Sequence, residues 1–154
     1  MMDQSDTPEL PAATAVPNLL FRYAELIDAG DFEGIGELLA HCVVNADGGG
    51  SWRGAADITA MYNDFTRKHD DGTPRTKHVI TNPIVELDGP DTARVRSYFT
   101  VFMSTPTLHL QPIVAGRYRD EFQRVDGVWR YSRRQMIVEF AGDVSEHLNM
   151  TLTR

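Results

Sequence analysis

Hydrophobic positions change their period along this chain, and the change divides it in two. Between Asn18 and Leu39 they recur at helical spacing: Leu19, Tyr23, Leu26 and Ile27, then Phe32, Ile35, Leu38 and Leu39. That pattern predicts two amphipathic helices joined by the corner Asp28-Ala29-Gly30-Asp31. Gly30 suits the left-handed residue that closes the first helix. Asp31 suits the N-cap of the second, where its carboxylate accepts from a free N–H of the first turn. Ile58, Met61, Tyr62 and Phe65 predict a third helix within Ala55 to Lys68. Residues up to about 15, with Pro8 and Pro11, read as a flexible lead-in, and 16–154 as one domain.

From Thr76 onward the period is two. Thr76 to Leu87 sets His78, Ile80, Asn82 and Ile84 on one face and Lys77, Val79, Thr81 and Val85 on the other. Thr92 to Met103 sets Ala93, Val95, Ser97, Phe99, Val101 and Met103 on one face, with Arg94, Arg96 and Tyr98 opposite. Asp126-Gly127 is a hairpin turn between Ile113–Val125 and Val128–Phe140; it predicts Phe122 opposite Tyr131, Asp120 opposite Arg133 and Arg124 opposite Trp129. Cys42 to Asn45 is a short strand, Asp47 to Ser51 a glycine turn, Ser104 to Pro112 a loop carrying His109, and Gly142 to Arg154 a short helix or coil. Helices first and long strands afterwards define an α+β layer, a curved antiparallel sheet against helices, whose open end forms an apolar cavity.

Composition narrows the function. At 154 residues, 42% hydrophobic and 24% charged, the chain buries a core without staples. A net charge of −7 with no basic run argues against nucleic acid as a partner. The lone Cys42 allows no internal disulfide and no cysteine zinc site, and sits in a short apolar run as a buried thiol. Gly48-Gly49-Gly50 lacks the Gly-Lys-Ser/Thr ending of a phosphate loop, and Asp70-Asp71 lacks the later acids of a calcium loop, so neither cofactor nor metal is expected. No window approaches a membrane span, and the first residues carry acids where a signal peptide carries bases; a cytoplasmic protein without a membrane partner is the expectation.

Candidate chemistry begins at Asp28. It lies four and eight residues after Ala24 and Leu20, so it continues an apolar face, yet it ends a helix where the dipole disfavours a negative charge. It is either a solvated helix-end acid or an acid at the mouth of a pocket. The strand arginines Arg94, Arg96, Arg117, Arg119, Arg133 and Arg134 either face an acidic ligand or pair with acids across the sheet, and the paired reading is adopted, Asp120 with Arg133 being one such pair.

The corner Ile27–Phe32, the stretch RTKHVITNP, the strand TARVRSYFTVF and the closing GRYRDEFQRVDGVWRYSRR resemble a SnoaL-like member of the nuclear-transport-factor-2-like (NTF2-like) superfamily, over about residues 17–140. The resemblance implies a cone of highly curved antiparallel sheet wrapped around three N-terminal helices, with an internal pocket. The superfamily holds scytalone dehydratase, ketosteroid isomerase, polyketide cyclases, dioxygenase small subunits and transport adaptors. The dehydratase branch is nearest by motif: Asp28 and His78 match its pocket acid and one of its histidines, Ile27 stands at a pocket tyrosine, and Met103 replaces a second histidine. The resemblance thus implies a lyase or isomerase in which an Asp28–His78 dyad moves a proton on a small apolar or aromatic molecule. Asn82 is a candidate oxyanion donor, Tyr23 and Tyr98 are candidate hydroxyl donors, and Met103 lines the pocket. Structural alternatives stand beside these roles: a satisfied core histidine, a strand-end asparagine before Pro83, a core tyrosine. A ligand-binding module without chemistry and an accessory subunit remain open, and the resemblance implies a homodimer through the sheet.

Overall fold

A computed structural model describes residues 9–150 and residue 152. Its elements are α1 (Ala12–Ala29), α2 (Phe32–Leu38), β1 (Val43–Ala46), β2 (Ser51–Arg53), α3 (Ala55–Phe65), β3 (Thr76–Leu87), β4 (Thr92–Met103), β5 (Gln111–Val125) and β6 (Val128–Ala141). α1 starts at Ala12, inside the stretch read as a lead-in, because Pro11 provides an N-terminal boundary that needs no backbone donor. Residues 1–8 of that stretch lie outside the described residues.

The α1–α2 corner forms as its sequence predicts. Gly30 is left-handed at φ 73°, its N–H donates to the Ile27 carbonyl, and the Asp31 N–H donates to Leu26. The Asp31 carboxylate accepts from the Gly34 N–H at 2.8 Å. A side chain at residue 30 would run into the Gly72 carbonyl oxygen, so the corner is backed against the turn that leads into β3.

The sheet is six-stranded in the order β2-β1-β6-β5-β4-β3 and does not close. β1 runs parallel to β6, so the sheet is mixed where the periodicity suggested an antiparallel one, and β2 is a short edge strand hidden in the glycine-rich stretch. Its inner face, Val95, Phe99, Val101, Tyr118, Phe122 and Tyr131, packs against Leu20, Tyr23 and Ile27 of α1 and against the other two helices. None of the described helices is long and apolar enough to cross a membrane.

Bulges bend the long strands, and two of them overturn residue-level expectations. In β3 the register slips between Thr81 and Ile84, with Asn82 left-handed at φ 43°. The two residues Asn82 and Pro83 interrupt the alternation, so Ile80 and Val85 pack on the core while Ile84 is 43% exposed. In the last hairpin Phe122 does face Tyr131 and Arg124 does face Trp129, but Ser132 is an extra residue. Glu121 therefore faces Arg133, and Asp120 meets Arg134 instead of Arg133. That one-residue slip carries Arg134 into the interior and leaves Arg133 outside.

Candidate active site

Three segments bring polar groups to the inner end of the sheet. α1 ends with Asp28 pointing at the start of β3. There the carboxylate accepts from the Thr76 hydroxyl at 2.8 Å, from the His78 backbone N–H at 2.8 Å and from His78 Nδ1 at 2.7 Å. The entry turn presets this geometry: Asp71 accepts from the Thr73 N–H and hydroxyl and from Arg75, and Arg75 takes a left-handed φ of 57° just before Thr76. The Asp28 and His78 side chains are only 10% and 4% exposed. Burial by itself would raise the Asp28 carboxyl, but the hydrogen bond and charge of His78, its backbone N–H and the Thr76 hydroxyl outweigh it and hold the group below the ordinary carboxylate range. Asp28 is thus an ionised acceptor, and His78 Nδ1 carries the proton it receives.

The third segment is one the periodicity does not reveal. After β6 the chain turns back and lies across the end of α3: the Arg67 N–H donates to the His147 carbonyl, and the Asn149 N–H to Phe65. His69 Nε2 bonds the Glu146 carbonyl, and the Glu146 carboxylate accepts from the Thr105 and Thr107 hydroxyls at 2.6 and 2.7 Å. This strap places the His147 ring 6.4 Å from the His78 ring, centroid to centroid. His147 is 6% exposed, and its buried Nδ1 has no hydrogen-bond partner. Burial, aided by the charge of His78, pushes its pKa down to about 4, so the imidazole is neutral at pH 7. In sequence His147 is an isolated histidine in a polar tail; no period or motif marks it.

Aromatic side chains form the rest of the wall. Tyr23 meets His78 edge-on at 6.3 Å, bonds the Tyr62 hydroxyl at 2.9 Å and lies edge-on to Tyr118. The buried Tyr62 and Tyr118 hydroxyls are pushed well above the usual tyrosine range by desolvation, so they stay protonated donors. Behind them Arg134 donates through Nε and Nη2 to both oxygens of Asp120, each at 2.8 Å, and its guanidinium sits 4.3 Å from the Tyr23 ring centre and 4.0 Å from that of Tyr118.

The other expected site residues divide. Tyr23 lies in the wall, and Met103 is buried on the inner face opposite Thr76. Asn82 is exposed at the β3 bulge, because the left-handed kink turns it off the inner face. Tyr98 is 54% exposed on the outer face, where the strict alternation of β4 puts it. Neither belongs to the site. His109 is exposed in the β4–β5 connection. Among the strand arginines, Arg94 pairs with Asp88, Arg96 with Glu86 and Arg117 with Glu139. No cluster among the described residues has the donor set of a metal site. Grooves of about 380 Å³ and 260 Å³ lie away from the dyad, on the outer face around Arg96 and Arg119 and beside the start of α1.

A curved, open sheet packed against three helices is the architecture of the NTF2-like, cystatin-like fold. Within it the chain belongs to the SnoaL-like domain family, whose model matches residues 8–135. No curated protein sequence matches it. Among solved structures, an NTF2-like protein with a cystatin-like fold from Novosphingobium aromaticivorans is 24% identical, with a TM-score of 0.69 over 82% of this chain and 80% of the other. A proposed scytalone dehydratase from the same organism is 21% identical, with a TM-score of 0.68 over 85% and 86%. A type 2 hexachlorocyclohexane dehydrochlorinase, LinA, is 18% identical, with a TM-score of 0.68 over 84% and 86%. At these identities the likeness is one of fold.

Proposed function

We propose that this protein is an acid–base enzyme of lyase or isomerase type, acting on a small, largely apolar ring compound, with His78 as the base and Asp28 as its orienting partner. The observation that carries the reading is the 2.7 Å contact between Asp28 and His78 Nδ1 inside the cone. An ionised carboxylate only accepts, so the contact holds the proton on Nδ1 and leaves the Nε2 lone pair free to act as base. Nε2 takes a proton from a carbon beside a carbonyl, and the electron pair of the broken C–H bond moves onto the carbonyl oxygen. Return of the proton to another carbon gives an isomer. In an elimination the electron pair returns from the oxygen to form a C=C bond as a neighbouring hydroxyl leaves as water with the proton held on His78, or a halide leaves as the anion and His78 gives its proton to solvent. The dehydratase and dehydrochlorinase named among the fold neighbours lose water and hydrogen chloride, which favours elimination.

Proton abstraction is tested without knowing the natural substrate. Cyclohexanone and 2-tetralone in D2O report exchange at the carbon beside the carbonyl by proton NMR. Wild-type protein is expected to exchange at least one of them above the buffer rate, and Asp28→Asn and His78→Ala to lower that rate by roughly 10²- to 10⁴-fold. Buffer-level exchange by the wild type on both ketones, or undiminished exchange by both variants, would overturn the reading.

The near-complete burial of His78, with the grooves around Arg96 and beside the start of α1 lying elsewhere, favours a second reading: a module that holds an apolar ligand without turning it over. A raised melting temperature with either ketone and no exchange would select it. The outer sheet face also supports a homodimer. Val79, Thr100, Ala115 and Phe140 lie opposite one another across β3, β4, β5 and β6, with Tyr98 beside them, and Val79, Tyr98 and Phe140 are exposed on a face that a second copy would cover. A Phe140→Glu variant that elutes at the same size as the wild type would count against it.

A further inference from the structure

We propose that His147 is the second functional imidazole of this site: a neutral ring whose Nδ1–H donates a hydrogen bond to the oxygen on which negative charge develops when His78 removes the proton. The proposal rests on the acid–base reading above and adds a residue, an atom and a direction to it.

Three independent features of the geometry point there. The His147 Nδ1 is buried and unpartnered, although the backbone of the residue is bonded: its own N–H and the Leu148 N–H both donate to the Val144 carbonyl, and its carbonyl accepts from Arg67. An imidazole nitrogen left without a partner costs free energy, and a ligand oxygen would recover it. Next, the ring faces His78 at 6.4 Å with the planes inclined at 61°. That separation lets one imidazole take a proton from a carbon while the other bonds the oxygen attached to the adjacent carbon. Finally, the strap carrying His147 is tethered on both sides of the residue, to the end of α3 and, through the Glu146 carboxylate, to Thr105 and Thr107. Such anchoring holds a donor in place before charge appears, which is what transition-state stabilisation by a hydrogen bond requires.

Charge state fits this role and not that of a second base. An imidazole kept neutral by burial is a hydrogen-bond donor to an oxyanion that does not quench the neighbouring base by protonating it. Two cationic histidines this close would repel each other, whereas one base beside one neutral donor divides the work.

The test reads His147 itself before it reads activity. In the full chain labelled with ¹⁵N-histidine, proton–nitrogen correlation at pH 7 is expected to show a neutral His147 with the proton on Nδ1. A proton on Nε2 would overturn this proposal and leave the Asp28–His78 reading standing. Exchange of the ketone used by the wild type then separates roles. His147→Phe keeps the ring volume and is expected to lower kcat by about 100-fold with KM within 3-fold. His147→Ala is expected to regain at least 10-fold in rate on addition of free imidazole. A fully active His147→Phe, or a slow His147→Ala that imidazole does not rescue, would reduce His147 to a packing residue. Loss of the Asp28 and His78 effects instead would mark failure of the underlying reading.

Discussion

Asp28 and Asp120 are both carboxylates withdrawn from water on the inner side of the sheet, and each meets a nitrogen base at hydrogen-bond distance: 2.7 Å to His78 Nδ1, and 2.8 Å to both Nε and Nη2 of Arg134. The resemblance ends there. Arg134 and Asp120 are wholly buried, and the guanidinium holds its proton at every accessible pH. Asp120 stands next to a charge that never leaves, between tyrosine rings that hold the cation in place. Asp28 has an imidazole partner, which unlike a guanidinium can give up and take back a proton, and two further donors, the Thr76 hydroxyl and the His78 N–H, that keep the carboxylate ionised and oriented. One pair is built for permanence and the other for transfer. What separates them is the chemical type of the base, imidazole against guanidinium, and how the acid's remaining lone pairs are used, rather than burial.

That distinction predicts unequal responses to truncation. Asp120→Ala strands a cation in the interior and is expected to cost about 3 to 5 kcal/mol in urea unfolding. His78→Ala leaves Asp28 two of its three donors and is expected to cost under about 2 kcal/mol while lowering proton exchange by roughly 10²- to 10⁴-fold. Equal destabilisation by the two variants would break the comparison.

Acid titration sharpens it next. His147 has a folded-state pKa of about 4, below the ordinary histidine value near 6.5. The unfolded chain therefore binds a proton that the folded chain refuses between those values. The sign follows: stability is full above pH 6.5, falls as pH drops toward 4, and this group adds nothing more below that. The total is about 3 kcal/mol at 1.4 kcal/mol per pH unit. The groups facing the ring are His78 on β3, Asp28 on α1 and His69 before β3; Asp28 favours the protonated ring and the two histidines oppose it. Asp28 itself, with a lowered pKa, contributes stability present above its ordinary value of 3.8 and lost as pH falls through its folded one. Unfolding at pH 7.0, 5.5 and 4.5 is expected to show the first loss in wild type and not in His147→Phe. A flat wild-type profile over that range would mean that His147 is not buried as a neutral ring.

How much of this was legible beforehand follows from what each residue depends on. The α1–α2 corner was readable because its determinants are local: a glycine for the left-handed turn, an aspartate for the cap, hydrophobics at helical spacing. Resemblance then added the juxtaposition of Asp28 with His78, fifty residues apart, which spacing alone does not give. The bulges were not readable. Alternation assigns faces only while it is unbroken, so one extra residue at Ser132 exchanged Arg133 for Arg134, and the Asn82-Pro83 kink removed Asn82 from the site and turned Ile84 outward. The β1–β6 parallel pairing depends on where a four-residue strand docks, a tertiary choice. His147 was the most hidden, since its position comes from backbone bonds between a coil and the end of α3, and such bonds leave no mark on side-chain pattern.

The smallest expected effect separates two aspartates three residues apart in that same corner. Asp31 is exposed and its carboxylate serves the Gly34 N–H, a bond within its own helix. Asp28 spends its carboxylate on residues 48 and 50 positions away. Asp31→Ala should therefore cost about 1 kcal/mol, the usual value of a lost N-cap, and leave the His78 nitrogen resonances where they are. Asp28→Asn should move those resonances, because the amide no longer holds the proton on Nδ1 as a carboxylate does. If Asp31→Ala shifted His78 as strongly as Asp28→Asn, the corner itself, and not the carboxylate of Asp28, would be what orients the imidazole, and the distinction between a transferring pair and a permanent one would lose its chemical basis.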